Sequence, residues 1–423
     1  MRRWIPTRGS VFLSLRGRNL SRSRCFSIAV NDVERVSFSN GSSGIVTIDL
    51  HNTAKVSSPD PLLIYLPPFS TAFSDRPAEL PRFIQRRPTA VINYRWAGYP
   101  PSKDTATRSS DSTTESAEDE DEWSHLAWPA PIHDTTRAYD WILDNLSPSD
   151  DRRRDIYVYG SYLGASLATS LTLTETHPYA TMGIRGCVAY NGIYDWTTFL
   201  PDHPIYQRRK VHELDRIFGP LTEGPEFQDL ERHAEALFER PGNFFDPFAS
   251  PCLFYHTPGL FVPPNFKSSA LLPKGLQPED LALLPRDAPE FYMPRKSPKE
   301  SPLSFPPDRL TSTILEALLL HSAPPPLPPL PPSSSRRQLR RKQKVRNNFQ
   351  TQAEDLARWM RRRVDKEELG ERIIGDDGSD SWDIEAAKRI QLQVVGLSNG
   401  DFELGSKGEE LAAAWLDDHM GIL

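Results

Sequence analysis

The sequence predicts an α/β fold with a mostly parallel central sheet flanked by helices. Short apolar segments rich in β-branched and aromatic residues, which are typical of buried strands, alternate with segments of helical periodicity along most of the chain. One such strand leads directly into a glycine-flanked turn and then a helix, in the segment DIYVYGSYLGASLATSLTLTE at 155–175. A proline-rich stretch in the second half breaks the alternation, so we expect a long insertion there.

Length and composition limit the classes of protein. The 423 residues, 38% of them hydrophobic, suffice for one large α/β domain with insertions or for two ordinary domains. The formal net charge of −6 gives no reason to expect nucleic-acid binding. Cys25, Cys187 and Cys252 are far apart and form no CxxC pair, so we expect neither a disulfide framework nor a metal site. We expect no cofactor, and no apolar run reaches the roughly 20 residues that span a bilayer.

The first 26 residues are basic and rich in serine. They contain seven arginines, and the first acidic residue of the chain is Asp32. This composition is typical of a mitochondrial transit peptide, and Arg24, Phe26 and Ser27 resemble the processing pattern of matrix proteins. We therefore predict import into the mitochondrial matrix and a folded domain over 27–423. The alternative is a disordered basic tail.

The first elements of the folded part are predicted to be strands. Two alternating segments at 33–50 flank Asn40-Gly41, a dipeptide that favours the tight turn of a β-hairpin. The elements expected after this hairpin are a strand at 61–66, a helix at 77–86 and a strand at 89–94.

An acidic segment separates these strands from the next helix. Residues 102–122 are polar, rich in Asp and Glu and without hydrophobic anchors, so they predict a disordered loop. The periodicity at 128–146 predicts an amphipathic helix, and Asp134 is a candidate for the cap at its start.

The turn within 155–175 is the most specific motif of the chain. It consists of Gly160, Ser161, Tyr162, Leu163 and Gly164. A sharp turn between a strand and a helix brings its flanking positions too close to other atoms for a Cβ, so glycine is needed there. The central residue is held in a strained conformation, and in this chain it is Tyr162.

The alternation ends after one more strand. This strand is expected at 186–191, and residues 201–346 then form the Pro-rich and basic insertion. Inside the insertion we expect a helix at 227–238 and either a strand or a short helix at 310–320. Its end carries PPPLPPLPP followed by the basic run 336–346, which is typical either of a polyproline ligand for a protein partner or of a flexible linker.

Regular periodicity returns in the last part of the chain. The expected elements are a helix at 350–364, a strand within 385–395 and a final helix at 407–418. These segments continue the pattern of the first half, so we expect them to extend the same sheet.

The order of elements resembles the α/β-hydrolase fold and is most similar to the hormone-sensitive-lipase-like esterases and their fungal relatives. The resemblance covers roughly 33–423, and its strongest part is the glycine-flanked turn, which is similar to the Gly-x-Ser-x-Gly nucleophile elbow. It implies carboxylic-ester hydrolysis by a Ser–His–acid triad. Carried onto this chain, the nucleophile falls on Tyr162, the acid on Asn347 and the histidine on Gly400.

A fourth part of the family's active site also differs. The loop that donates backbone N–H groups to the reacting oxygen begins with Pro67 and Pro68, and proline has no N–H. Four departures from the family pattern predict that the inherited chemistry is lost. A tyrosine phenol with no base beside it is a poor acyl acceptor at neutral pH.

Two serines offer an alternative nucleophile. Ser161 precedes the central position of the turn, and Ser166 lies in a shifted frame with a small residue on each side. His256, in an aromatic loop, and Asp195, after a strand, would complete such a site. The competing interpretation is that each serine bonds to nearby backbone groups.

The sequence therefore leaves three functions open. The first is a non-catalytic protein that binds a small hydrophobic ligand, an ester or a protein partner on an α/β-hydrolase scaffold. The second is a carboxylic-ester hydrolase that uses Ser161 or Ser166. The third is a scaffold that contacts partners through its acidic segment and its Pro/Arg segment, because fold alone does not fix function.

Overall fold

The computed structural model describes most of the regions with regular periodicity. The described residues are 26–30, 33–41, 44–52, 60–72, 74, 76–96, 126–148, 152–177, 179–207, 224–267, 295–296, 316–324, 347–364, 380–396 and 402–421. The arginine-rich residues 1–25, the acidic segment 102–122, the basic run 336–346 and Gly400 lie outside the described residues.

Nine of the described strands form one sheet, and two more form a short separate ribbon. The strands are β1 Phe26–Val30, β2 Val33–Ser39, β3 Ile45–His51, β4 Leu62–Leu66, β5 Thr89–Asn93, β6 Arg154–Ser161, β7 Met182–Tyr190, β8 Phe261–Val262, β9 Arg295–Lys296, β10 Glu316–His321 and β11 Ile390–Val394. The order in the sheet is β1-β2-β3-β5-β4-β6-β7-β10-β11, and β8 pairs with β9.

Strand direction divides the sheet into two parts. From β1 through β2 and β3 to β5, each strand is antiparallel to the next. From β5 through β4, β6, β7 and β10 to β11, each strand is parallel to the next. Strand β6 lies in the middle of the parallel part, and its burial pattern is almost continuous, as expected for a strand covered on both faces. The carboxyl ends of the parallel strands therefore meet at one edge of the sheet, where α/β proteins carry their sites.

Helices connect and cover these strands. They are α1 Ala130–Leu146, α2 Leu163–Thr174, α3 Pro204–Gln207, α4 Pro225–Phe238, α5 Phe349–Arg363, α6 Asp380–Arg389 and α7 Ser406–Met420. The strand order, the crossover helices and the turn between β6 and α2 are those of the α/β-hydrolase fold, so the fold class predicted from the sequence is confirmed.

The helix predicted at 77–86 is wrong. Only Arg82–Ile84 is helical there, as a single 3-10 turn that follows Pro81. Proline fixes its own φ, removes a hydrogen-bond donor and disfavours helix in the residue before it. Pro77 and Pro81 therefore prevent a continuous helix, although the apolar spacing suits one.

Asp134 does not cap α1, contrary to the sequence prediction. The helix begins after Pro129, and Asp134 lies inside it, fully buried. Its two carboxylate oxygens accept hydrogen bonds from the Arg95 guanidinium at 2.7 and 2.8 Å, and one also accepts from Asn40 at 3.1 Å. The carboxylate thus joins α1 to the end of β5 and to the hairpin turn, as buried charges require paired partners.

The segment predicted as an insertion, 201–346, contributes to the core. Strand β10 lies between β7 and β11 in the central sheet, and its side chains from Ala317 to His321 are buried. Helix α4 buries Phe227, Leu230 and Phe238. The chain therefore leaves the sheet after β7 and returns to it at β10, with α4 packed on the core between them.

Two close backbone approaches fix the turn between β6 and α2. A Cβ at Gly164 would overlap the carbonyl oxygens of Leu66 and Pro67, in the loop after β4. A Cβ at Gly160 would overlap the carbonyl oxygen of Gly164 and would lie 2.8 Å from the Cβ of Ala168. The packing of α2 against β4 therefore requires the two glycines that mark the motif in the sequence.

We predict that Gly164→Ala lowers the free energy of unfolding by about 3 kcal/mol, because the new methyl group meets rigid backbone rather than a flexible side chain. Chemical denaturation measures the change. Gly405→Ala is the matched control and should change stability little, since Gly405 has φ −63° and a methyl group added there would enter open space. Equal effects of the two substitutions would contradict this account.

Candidate functional site

Tyr162 occupies the centre of the turn between β6 and α2. Its backbone has φ 50° and ψ −112°, and its N–H donates to the carbonyl oxygen of Tyr190 at 2.8 Å. A positive φ is strained for a bulky residue and persists only where the surrounding structure enforces it. The strained turn that the sequence predicts is therefore present, with a tyrosine at its centre.

The Tyr162 side chain is fully buried among aromatic rings. Phe402 lies 5.0 Å away between ring centroids, Tyr190 and Phe349 each lie at 5.5 Å, and Phe69 lies at 6.5 Å. The rings of Phe402, Tyr190 and Phe349 meet Tyr162 edge to face, an arrangement that aromatic pairs favour. Four segments of the chain thus enclose the position that would hold a nucleophile.

Asn191 binds the Tyr162 hydroxyl and connects three strand ends. Its Nδ2 donates to the hydroxyl at 3.0 Å, and its Oδ1 accepts from the Ser322 N–H at 2.8 Å. Asn191 and Phe402 also have positive φ, at 50° and 55°. Three residues with strained backbones therefore meet at one place, at the carboxyl edge of the sheet.

A chain of aromatic contacts links Tyr162 to helix α4. Phe349 lies 5.1 Å from Phe227 of α4, and Phe227 lies 5.3 Å from Phe199. Trp196 continues the chain, 5.4 Å from Phe199 and 4.8 Å from Phe238 at the other end of α4. Packed aromatic rings thus connect both ends of α4 to the turn between β6 and α2.

Asn347, the acid position by family spacing, is part of a buried amide network. Its Nδ2 donates to the Thr198 hydroxyl at 3.0 Å, and its Oδ1 accepts from Gln352 Nε2 at 2.9 Å. Gln352 Oε1 accepts from the N–H groups of Tyr194 and Asp195, at 3.0 and 2.9 Å. The network attaches the start of α5 to the loop after β7, and the amide groups of Asn347 and Gln352 find the partners that burial demands.

The two alternative serines make structural hydrogen bonds. Ser166 Oγ donates to the carbonyl oxygen of Ile193 at 2.6 Å, which is the kind of backbone bond that competes with a catalytic role. Ser161 is buried and shares a hydrogen bond with the Tyr65 hydroxyl, and burial raises the pKa of that phenol. The ring of Tyr159, two residues before Ser161 on the same face of β6, stacks on Tyr65 at 5.3 Å.

His256 and Asp195 lie in a separate cluster with His203. His256 stacks on Trp359 of α5 at 5.0 Å, and Asp195 accepts from the Thr197 N–H at 3.0 Å. Burial lowers the pKa of His203, and the nearby Asp195 opposes this whereas His256 adds to it. No sequence motif marks His203, since only the fold brings it to these two residues.

Cys252 is close to this cluster but is unsuited to act as a nucleophile. Burial raises the pKa of its thiol well above the ordinary value, and the nearby Asp195 and Asp355 carboxylates act in the same direction. The thiolate is the reactive form of cysteine. The thiol therefore stays protonated at neutral pH, and Cys252 serves as a core residue.

The loop after β4 is held by carbonyl and hydroxyl contacts. The Tyr94 hydroxyl donates to the Pro67 carbonyl oxygen at 2.7 Å, and Ser70 Oγ donates to the Tyr94 carbonyl oxygen at 2.8 Å. Phe69 projects from the same loop onto Tyr162 and Phe402. The backbone at Pro67 and Pro68 offers no N–H group to an oxyanion, as the sequence indicates.

Neither a metal centre nor a membrane-spanning helix is evident in the described part of the chain. Within the described ranges, no group of three or more His, Cys, Asp or Glu side chains is placed to hold a metal ion. None of the described helices combines the length and the apolar character that a membrane crossing requires.

Solved structures similar to this chain include several esterases. Carboxyl esterase 2 of the mycorrhizal fungus Tuber melanosporum is 13% identical, with 94% of this chain and 85% of that chain covered and a TM-score of 0.42. An esterase of Pyrobaculum calidifontis is 12% identical, with coverages of 93% and 86% and a TM-score of 0.43. Brefeldin A esterase, a bacterial homologue of human hormone-sensitive lipase, is 13% identical, with coverages of 93% and 79% and a TM-score of 0.42.

No protein-family model and no curated protein matches the chain. At these identities and TM-scores the structural likeness carries no argument about activity. The assignment of the fold rests on the strand order and on the strained turn between β6 and α2. By these features the chain has the α/β-hydrolase fold, with Tyr162 at the centre of the strained turn.

We predict that Tyr162→Phe lowers the free energy of unfolding by about 1 kcal/mol, because it removes the hydrogen bond from Asn191 and leaves the rings in place. Thermal and chemical denaturation measure the effect. Tyr179→Phe is the matched control, since Tyr179 is 87% exposed and its hydroxyl is in water. A loss with Tyr179→Phe as large as with Tyr162→Phe would show that the buried bond contributes nothing.

Proposed function

We propose that this chain is a non-catalytic protein with the α/β-hydrolase fold, which acts by binding a ligand or a protein partner. The observation that carries the proposal is the environment of Tyr162. The residue takes the strained conformation of a nucleophile, but its ring is enclosed by four other rings and its hydroxyl bonds to an amide. The turn then serves as a packing element at the centre of the fold.

The chemistry of the hydroxyl supports this proposal. A phenol has a pKa near 10 and attacks an acyl group at neutral pH only if a base takes its proton. Asn191 donates a hydrogen bond to the Tyr162 oxygen, and a neutral amide has no basic nitrogen. The Tyr162 hydroxyl oxygen thus accepts a hydrogen bond from an uncharged amide.

The contacts at the other candidate positions agree with this interpretation. Asn347, at the acid position, bonds Thr198 and Gln352 and carries no charge to orient an imidazolium. Ser166 donates a hydrogen bond to a backbone carbonyl oxygen in the core. Ser161 shares a bond with the Tyr65 phenol, whose pKa burial raises, so that phenol is no base for a serine at neutral pH. These contacts favour the non-catalytic hypothesis over an esterase that uses either serine.

The binding partner is proposed from the sequence alone. A small hydrophobic ligand, an ester or a protein would suit the scaffold, and the acidic segment 102–122 and the Pro/Arg segment 324–346 are the proposed contacts for a protein. The arginine-rich start of the chain leads us to propose that this binding takes place in the mitochondrial matrix.

We predict that the purified full-length chain is not labelled by a fluorophosphonate probe, which reacts with activated serines. Ser166 bonds to a backbone carbonyl and Ser161 to a phenol, neither of which is a base at neutral pH, and Tyr162 is enclosed. Labelling is read by mass after proteolysis, with a folded esterase as the positive control. Cooperative thermal unfolding of the same sample shows that the chain is folded.

Substitution of each serine makes the labelling test decisive. Stoichiometric labelling that disappears in Ser161→Ala or in Ser166→Ala would identify a working nucleophile and overturn the proposal. Ser147→Ala is the matched control, because Ser147 lies at the exposed end of α1. Labelling that survives all three substitutions would assign the reaction to another residue, and the modified peptide would identify it.

We predict that residues 1–26 direct a fluorescent protein to mitochondria, because they combine seven arginines with serines and no acidic residue. Microscopy of the fusion in a eukaryotic cell measures this, together with the mass of the processed product. Substituting the seven arginines by glutamine in the same fusion is the control and should abolish import. A cytosolic location of the unsubstituted fusion would contradict the prediction.

A further inference from the structure

The end of the C-terminal helix α7 contacts the start of strand β10 through a histidine. His419 lies in the last turn of α7, and Glu316 is the first residue of β10. Nε2 of His419 bonds to Oε2 of Glu316, and Nδ1 lies 2.6 Å from the carbonyl oxygen of Trp415. We call Glu316, Trp415 and His419 the α7 clasp.

The partners of the two ring nitrogens define the charge of His419. A backbone carbonyl oxygen accepts hydrogen bonds and donates none, and the same holds for an ionised carboxylate. A neutral imidazole has one N–H and one bare nitrogen, so it can donate to only one of these two partners. Both bonds form only when both nitrogens carry a proton. The geometry therefore requires the imidazolium cation.

Two neighbouring features stabilise this cation, and a third holds the turn that carries it. The ring of Trp415 stacks on the His419 ring at 3.9 Å between centroids and 19° between planes, an arrangement in which an aromatic face attracts a cation. The positive charge also lies at the carboxyl end of a helix, where the helix dipole favours it. The Tyr157 hydroxyl donates to the His419 carbonyl oxygen at 2.8 Å and holds the last turn against β6.

Other charged groups surround the α7 clasp on each element packed against it. They are Asp418 on α7, Arg389 on α6 beside Glu316, and Asp155, Arg153 and Arg185 beside Tyr157. Burial lowers the pKa of His419, but the bonds to Glu316 and Trp415 and the charges of Glu316 and Asp418 raise it more, so the net pKa lies above the ordinary 6.5. The bond from His419 holds the pKa of Glu316 below its ordinary value, against the effect of burial.

We propose that the docking of α7 on β10 is proton-dependent, with the clasp complete while His419 is an imidazolium and weakened when His419 loses its proton. The folded protein holds this proton more tightly than the unfolded chain. The stabilisation is therefore complete below the unfolded pKa of about 6.5 and is lost as pH rises through the folded pKa. On the acidic side it is lost only as pH falls through the lowered pKa of Glu316.

Helix α7 connects the clasp to the site around Tyr162. Helix α7 begins shortly after Phe402, whose ring lies 5.0 Å from Tyr162. The other end of α7 is held by the α7 clasp and by Asp417 in the same turn, which pairs with Arg87 at 2.5 Å. Loss of the imidazolium thus weakens one of the polar attachments of this end of α7, beside the Arg87 pair and the Tyr157 bond. This inference does not depend on the proposed function.

The test compares the pH dependence of unfolding in the full-length chain and in three variants. Between pH 6 and pH 9 the unfolding constant of the unsubstituted chain should rise roughly fivefold relative to that of His419→Gln, a size typical of a partly buried histidine at a helix end. Glu316→Gln should show a smaller rise. Asp417→Asn is the matched control, because it removes the pair with Arg87 in the same turn and leaves the bond between His419 and Glu316 in place. It should lower stability without changing the pH profile.

Proton NMR of the histidine ring signals gives a second readout. The His419 signal, assigned by its loss in His419→Gln, should titrate with a midpoint above 6.5 in the unsubstituted chain and with a lower midpoint in Glu316→Gln. A midpoint at or below this ordinary value would overturn the proposal. Parallel pH profiles of unfolding for the unsubstituted chain and His419→Gln would overturn it as well.

Discussion

The close approach of helix α2 to the loop after β4 is the constraint on which the site depends. Gly164 lies against the carbonyl oxygens of Leu66 and Pro67, so the helix can start there only if the turn before it is very sharp. That turn places Tyr162 at φ 50° and directs its side chain to the carboxyl edge of the sheet. The strain is local, whereas the contacts that offset it come from four distant segments.

Those distant contacts make the carboxyl edge of this sheet a core. Phe69, Tyr190, Phe349 and Phe402 bury the Tyr162 ring, and Phe349 extends the packing to α4 through Phe227. Aromatic rings gain both from burial and from their edge-to-face geometry. This packing offsets the strain of the Tyr162 backbone.

Amide side chains perform at this edge the connecting role that charged groups perform elsewhere in the fold. Gln352 and Asn347 attach α5 to the loop after β7, and Asn191 joins the ends of three strands. At the end of β5, the buried Asp134 is paired with Arg95 instead. An amide satisfies buried N–H and carbonyl groups without the desolvation that an ion pair requires, so it suits a site enclosed by aromatic rings.

The sequence by itself determined the fold class, most strands of the sheet and the sharp turn at Tyr162, because apolar runs, alternating patterns and glycine positions reflect backbone sterics that act locally. It did not predict β1, which pairs with β2 at the edge of the sheet. It failed at 77–86, where two prolines outweigh a helical pattern, and at Asp134, where a polar residue near a helix start wrongly predicts a cap. Only the tertiary structure decided which side chains meet Tyr162, and which amide binds Asn347. It alone brought His419 to Glu316, 103 residues away along the chain. Such contacts join segments far apart in sequence, so no local pattern encodes them.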